Sequence, residues 1–172
     1  PAIVQIKTET DIVKQLKGVK IDANATLLAE DKKLRTDFGE VLFTDYGLSG
    51  PPILQISRGV SVSKSECEVS LDIMPDIDFS TLEEKLRVRV KELSQRNLDE
   101  FFTGMLQKRI GQVLLKTVGC RLSDKAETLD GQKIKRIANL MKNWKFKVLG
   151  TTGFLNSQVT AGGLSTDEFF NT

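Results

Sequence analysis

The sequence predicts an α+β fold: a small antiparallel β-barrel, or strongly curved sheet, with an inserted α-helical subdomain. Three observations predict it. Apolar and polar residues alternate with a period of two through the first part of the chain; the spacing changes to about 3.6 after Pro75; and alternation returns at Lys145–Leu149, KFKVL. A chain of 172 residues with 40% hydrophobic content is long enough to bury one sizeable core. The period switches divide it into barrel segments 1–78 and 144–172 and a helical segment 79–143.

The elements follow in order. Ala2 to Lys7 opens as a strand with β-branched Ile3, Val4 and Ile6, and a chain starting at Pro1 inside a strand fits an excised piece of a longer polypeptide. Val19, Ile21, Ala23, Ala25 and Leu27 alternate with Lys20, Asp22, Asn24 and Thr26, which predicts a sheet with one wet face. Glu30, Asp31 and Lys32 supply the turn of an antiparallel hairpin. Leu34, Thr36 and Phe38 resume the alternation as far as Gly39, a residue expected to bulge or bend the strand before Val41 and Phe43. Gly47, Ser49 and Gly50 read as a loop, and the tandem Pro51 and Pro52 open a helix where no donated hydrogen bond is needed.

Cys67, Val69, Leu71 and Ile73 alternate with Glu66, Glu68, Ser70 and Asp72 in a further strand that stops at Met74-Pro75. Ser80 and Glu83 resemble a capping box, with a helix from about Thr81 to Leu93 carrying Leu82, Leu86 and Val90 on one stripe. Leu98, Phe101, Phe102, Met105, Leu106, Ile110, Val113 and Leu114 predict one or two helices ending near Gly119. Asp130 caps a last helix bearing Ile134, Ile137, Leu140 and Met141, with Trp144 at its end. Beyond KFKVL, Gly150 to Gly153 is a turn and Asn156 to Ala161 a final extended piece.

Composition excludes several chemistries. Histidine is absent and the two cysteines, Cys67 and Cys120, are far apart, which leaves too few ligands for a zinc site and removes Ser-His-Asp and Cys-His mechanisms. No apolar run approaches a membrane span and no signal peptide opens the chain, so a cytoplasmic protein is expected. Net charge is only +2, yet Ser80 to Lys147 holds 16 Lys and Arg against 8 Asp and Glu. Lys133, Lys135, Arg136, Lys142, Lys145 and Lys147 surround an amphipathic helix. An interaction module binding an acidic partner or nucleic acid through this face is the alternative function; solubilising lysines on an exposed helix account for it more simply.

The run Gly39–Leu54, GEVLFTDYGLSGPPIL, brings a strand, a glycine loop and a helix start together, a geometry suited to an anionic or electron-rich ligand. No GxGxxG follows any strand, and GTTG at Gly150–Gly153 lacks the spacing of a dinucleotide site. Tyr46, the sole tyrosine, is the candidate proton donor or stacking residue, against a packing role over the barrel end. Asp45 is a candidate acid or base, against ordinary turn chemistry. Gly162 and Gly163 lack Cβ atoms and permit close approach of another surface.

GEVLFTDYGLSGPPILQISR, together with QVTAGGLSTDE from Gln158 to Glu168, resembles the HI0933/BaiN-like family of bacterial FAD-dependent oxidoreductases, which includes aminoacetone oxidases. Members have a Rossmann-like FAD-binding domain interrupted by a long insert, and the resemblance covers this chain almost end to end as that insert. It implies a substrate-side domain that completes a flavin pocket, with FAD in the intact parent and none bound to this piece alone. Beside such a flavin Tyr46 and Asp45 are the candidate catalytic residues, and Gly47, Ser49, Gly50, Thr160, Ala161, Gly162 and Gly163 are expected to lie close to the cofactor. The implied partner is the FAD-binding domain of the same polypeptide. Asp45 stands where members often carry histidine, so a role needing an imidazole is not carried over, and AGGL at Ala161–Leu164 replaces the usual AGGV.

Overall fold

A computed structural model describes residues 1–163. Six strands close into an antiparallel barrel in the order β1-β4-β3-β2-β5-β6. They are β1 (Ile6–Thr8), β2 (Lys20–Ala29), β3 (Lys32–Phe43), β4 (Gly47–Ser49), β5 (Cys67–Asp72) and β6 (Trp144–Thr151). Five helices accompany them: α1 (Thr10–Gln15), α2 (Pro51–Val62), α3 (Phe79–Glu92), α4 (Lys108–Thr117) and α5 (Gly131–Lys142). The fold class is therefore α+β, a closed barrel with helices α3 to α5 entering between β5 and β6.

The barrel interior collects the alternate residues that the period of two selects. Ala23, Ala25, Leu27, Val41, Phe43, Val69 and Leu71 are all fully buried. At its centre Phe43, Trp144 and Phe146 pack with ring centroids 5.4 to 6.0 Å apart. Small alanines on β2 face this aromatic cluster, because a six-stranded barrel has room for large side chains from only some strands. The Trp144 indole N–H is buried without a hydrogen-bond partner among the described residues.

Helices α3 to α5 bury one stripe each. Leu82 and Leu86 of α3, Ile110, Leu114 and Leu115 of α4, and Ile134, Ile137 and Met141 of α5 are buried together around the edge-to-face pair Phe101 and Phe102. The Arg89 guanidinium lies 5.8 Å from the Phe101 ring and donates to the carbonyls of Phe101 and Thr103, closing the loop after α3. Two seams join helices to barrel. Ile73 donates its N–H to the Met141 carbonyl, while Lys142 donates to the carbonyls of Met74 and Ile77 and pairs with Asp72 at 2.7 Å. On the other side, Arg109 donates to the carbonyls of Gln15 and Lys17.

Several local expectations are corrected. Gly39 does not bulge: β2 and β3 pair without interruption from Lys20↔Leu42 to Leu27↔Arg35, and the register shifts beyond Leu27, so that Leu34 is the extra residue. Leu34 and Phe38 consequently face outward, 50% and 59% exposed, and only the odd-numbered Val41 and Phe43 point into the core. Gly39 instead admits the helix start, since a Cβ there would lie 3.2 Å from Pro52 Cδ. The cap of α3 is Asp78, whose carboxylate accepts from the Thr81 N–H and from both the Ser80 and Thr81 hydroxyls; Ser80 is a donor to the cap rather than the cap.

Trp144 is no longer helical. Asn143 turns to φ −143°, and Trp144 starts β6 inside the barrel. Between Leu98 and Gly119 only α4 is a full helix, preceded by a single 3-10 turn at Leu98–Glu100. Residues Gly47 to Ser49, read as a loop, form a barrel strand between β1 and β3. Helix α1 went unpredicted. The final extended piece is a 3-10 turn at Phe154–Asn156 followed by one isolated bridge, Val159 with Ala2.

Candidate functional site

Strand β4 is where the Asp45-Tyr46 turn becomes fixed. The Thr44 hydroxyl lies 3.0 Å from the Gly47 carbonyl and 3.1 Å from its N–H, and the Thr44 N–H also donates to the Gly47 carbonyl. Tyr46 is half-buried, and its carbonyl accepts from the Thr8 N–H of β1. Its hydroxyl has no hydrogen-bond partner among the described residues, which leaves the group free to donate outward. Asp45 is exposed and pairs with Lys17 at 2.7 Å. The hydrogen bond from Lys17, then its charge, hold the Asp45 carboxyl below its ordinary range, a state suited to an anion rather than to an acid that gives up a proton near neutrality.

The glycines of the motif have a different task from cradling a ligand. A Cβ on Gly47 would overlap the Ile6 carbonyl oxygen, and one on Gly50 would overlap the carbonyl oxygen of Glu40. Both spaces are filled by the chain's own backbone, where β4 closes against β1 and α2 folds back over β3. Gly50 also holds φ +99° at the start of α2. Pro51 and Pro52 follow it, and Pro52, Ile53 and Ile56 are buried against the barrel.

The second motif lies elsewhere along the same N-terminal segment. Ala2 exchanges hydrogen bonds with Val159, and the Gln158 N–H donates to the Ile3 carbonyl. Thr160, Ala161, Gly162 and Gly163 continue from there exposed, with open space around both glycine Cβ positions. Tyr46 meets this segment at Thr8, so the two motifs are anchored at its opposite ends. The remainder of the second motif, from Leu164, lies outside the described residues. Set against a flavin, the residues at 47–50 offer no open cradle, whereas Thr160–Gly163 present bare backbone that another surface can approach.

The cationic cluster read from the sequence separates into two sets. Lys142 at the end of α5 is tied to Asp72, and on β6 Lys145 is tied to Asp31 and Glu68 and Lys147 to Glu66, all of them acids on or beside barrel strands. Lys133, Lys135 and Arg136 remain on α5 without an acidic partner within ion-pair distance among the described residues. Gln132, Lys135, Arg136 and Asn139 line one wall of a cleft of about 400 Å³ facing Thr117 and Val118 at the end of α4. Sequence reasoning saw the lysines but missed this groove, whose signal is that α4 and α5 together contain no Asp or Glu. No group of His, Cys, Asp and Glu that could hold a metal occurs among the described residues. None of their helices is long and apolar enough to cross a membrane.

A closed six-stranded barrel carrying helices between its last two strands defines the protein class. The chain belongs to the family described as HI0933-like protein barrel and H2TH domain, whose model matches residues 1–159. This places it among the HI0933/BaiN-type FAD-dependent oxidoreductase-like proteins. It is 30% identical over 99% of its length to the 3-dehydro-bile acid delta(4,6)-reductase of Clostridium scindens, covering 42% of that protein. It is also similar to the ribosomal RNA dihydrouridine synthases of Haemophilus influenzae, at 24% identity over 92% of this chain and 37% of that one, and of Escherichia coli, at 29% over 74% and 30%. The chain thus spans less than half the length of the curated relatives it matches.

Proposed function

We propose that this chain is the substrate-side insert of an FAD-dependent oxidoreductase, docked on the FAD-binding domain of the same polypeptide. The observation that carries the reading is the pairing of Ala2 with Val159. Segments near both ends of the described residues run side by side, so the chain reaches residues 2 and 159 on one face of the barrel, an arrangement that suits an insert. The same stretch exposes Leu149, Phe154, Leu155 and Val159, with Leu155 fully exposed, and exposed apolar side chains near one another are what a covering domain would bury. Flavin chemistry belongs to the cofactor, and this chain's part is to exclude water and shape the substrate space. Thr160–Gly163 would approach the cofactor through bare backbone, and Tyr46 would present its free hydroxyl to substrate. The names of the relatives share one reaction class, reduction of a carbon–carbon double bond, and that is the class proposed for the parent.

The test compares the 172-residue chain with the longer polypeptide. Flavin absorbance should accompany the longer protein through purification and be absent from the shorter one. Stoichiometric FAD on residues 1–172 alone would overturn the placement of the cofactor grip. In the longer protein, Tyr46→Phe should lower turnover or shift the flavin spectrum; unchanged values on both counts would reduce Tyr46 to a packing residue.

The substrate has a second, narrower reading. Two relatives are named for acting on ribosomal RNA, and the acid-free pair α4 and α5 favours a polyanionic substrate of that kind over a small neutral one.

A further inference from the structure

We infer that the cleft between α4 and α5 is a binding site for the phosphodiester backbone of RNA. The inference deepens the RNA reading above and rests on it; it does not depend on where the flavin is held.

The site is built by helical periodicity. Gln132, Lys135, Arg136 and Asn139 fall at i, i+3, i+4 and i+7 of α5, which puts all four on one face. The opposite face, Ile134, Ile137, Ala138 and Met141, is buried and holds the helix rigidly in place. Across the cleft stand Thr117 and Val118, where α4 ends, with Leu140 closing the apolar floor. Lys116 is exposed beside Thr117. The side chains of Gln132, Lys135, Arg136 and Asn139 can all donate hydrogen bonds into the cleft, the Thr117 hydroxyl donates to the Val113 carbonyl of its own helix, and no lining residue is acidic. Two cations and two amides around an apolar floor are complementary to a strand that carries one negative charge per nucleotide beside bases with flat apolar faces.

Charge placement elsewhere strengthens the assignment. The seven Lys and Arg of α4 and α5 face no acid of their own helices. Cations of the β6 strand are instead neutralised by Glu66, Glu68 and Asp31, so the barrel wall beside α5 does not compete for the same ligand. Arg136 and Lys135 make no hydrogen bond or ion pair among the described residues, so a ligand would displace only water from them. Arg109 and Lys142, by contrast, are occupied in fastening the helices to the barrel.

The experiment uses the 172-residue chain and a fluorescein-labelled RNA hairpin with a single-stranded flank, followed by anisotropy at rising NaCl. Wild type should bind with a Kd that weakens steeply with salt. The double variant Lys135→Ala/Arg136→Ala should weaken binding about tenfold and reduce the salt slope by about 1.5 to 2, as expected for two lost phosphate contacts. Lys32→Ala/Lys33→Ala, an equal charge change at exposed residues at the start of β3, should alter Kd less than about twofold. Gln132→Ala/Asn139→Ala should weaken binding with the slope unchanged. Equal losses from the two lysine-containing pairs, or displacement of RNA by polyglutamate as readily as by unlabelled RNA, would overturn the site in favour of bulk charge. So would no binding by wild type. Circular dichroism of each variant separates loss of binding from loss of fold, and flavin retention by the longer protein should be untouched by all of them.

Discussion

The barrel and the helical segment use the same residue types for opposite purposes. Within the barrel, Lys20, Lys145 and Lys147 reach across strands to Glu40, Glu68 and Glu66, and charge is cancelled where it arises. On α4 and α5 the cations have no acids on their own helices, and the positive charge of the chain collects there. Glycines divide in the same way. Gly47 and Gly50 sit where backbone meets backbone, whereas Gly119 ends α4 at φ +83° with open space around it. The barrel uses glycine for close approach; the helices use it to stop.

The largest effects test whether the two regions unfold as one. Leu71 in the barrel and Leu114 in α4 are both fully buried, and truncating either to alanine should cost roughly 2–5 kcal/mol. Trp144, the sole tryptophan, reports on the barrel interior, while far-ultraviolet circular dichroism is weighted toward the helices. The seams at Met141, Lys142 and Arg109 predict coincident denaturation curves from both probes for both variants. A Leu114→Ala protein whose helical signal melts before its tryptophan signal would show two independent units.

Glycine provides a sharper and smaller contrast. Gly50→Ala must displace the Glu40 carbonyl and hold a positive φ, and should cost on the order of 3 kcal/mol. Gly119→Ala meets only the conformational penalty, about 1 kcal/mol. Chemical denaturation of the pair measures both, and equal losses would remove the distinction between close approach and helix termination.

The smallest effect concerns pH. The hydroxyls of Ser80 and Thr81 and the Thr81 N–H hold the Asp78 carboxyl well below its usual range. A pKa depressed in the folded state stabilises the fold above the unfolded value near 3.9, and that contribution is lost as pH falls. Asp78→Asn keeps an acceptor for the N–H but cannot ionise, so its melting temperature should fall less between pH 5 and pH 2 than that of wild type. Parallel pH profiles would show that the cap contributes nothing through its charge.

Legibility differed by element length. Strands β2 and β5 and helices α3 and α5 each repeat their period often enough to be read directly, and Asp130 could be named as a cap because α5 starts straight after it. Strand β4 has three residues and helix α1 six, too few to show either period. Phe38 misled for another reason: it alternates with its neighbours just as a core residue would, yet its phase is opposite to that of Phe43, and only pairing with Asn24 shows that it faces outward. The residues of the GLSGPP motif were visible as a unit, but not that their glycines meet backbone rather than ligand. That depends on where β1 and β3 pass.

The family, the order of the longer strands and helices and the absence of imidazole chemistry were determined by the sequence by itself, because periodicity, long motifs and composition are local properties. Closure of the barrel, the pairing of Ala2 with Val159, the tying of Lys142, Lys145 and Lys147 to acids distant in sequence, and the groove left between α4 and α5 were decided only by tertiary structure. Each depends on contacts between segments far apart along the chain, and a side chain's partner there is set by register and packing, which no window of neighbouring residues contains.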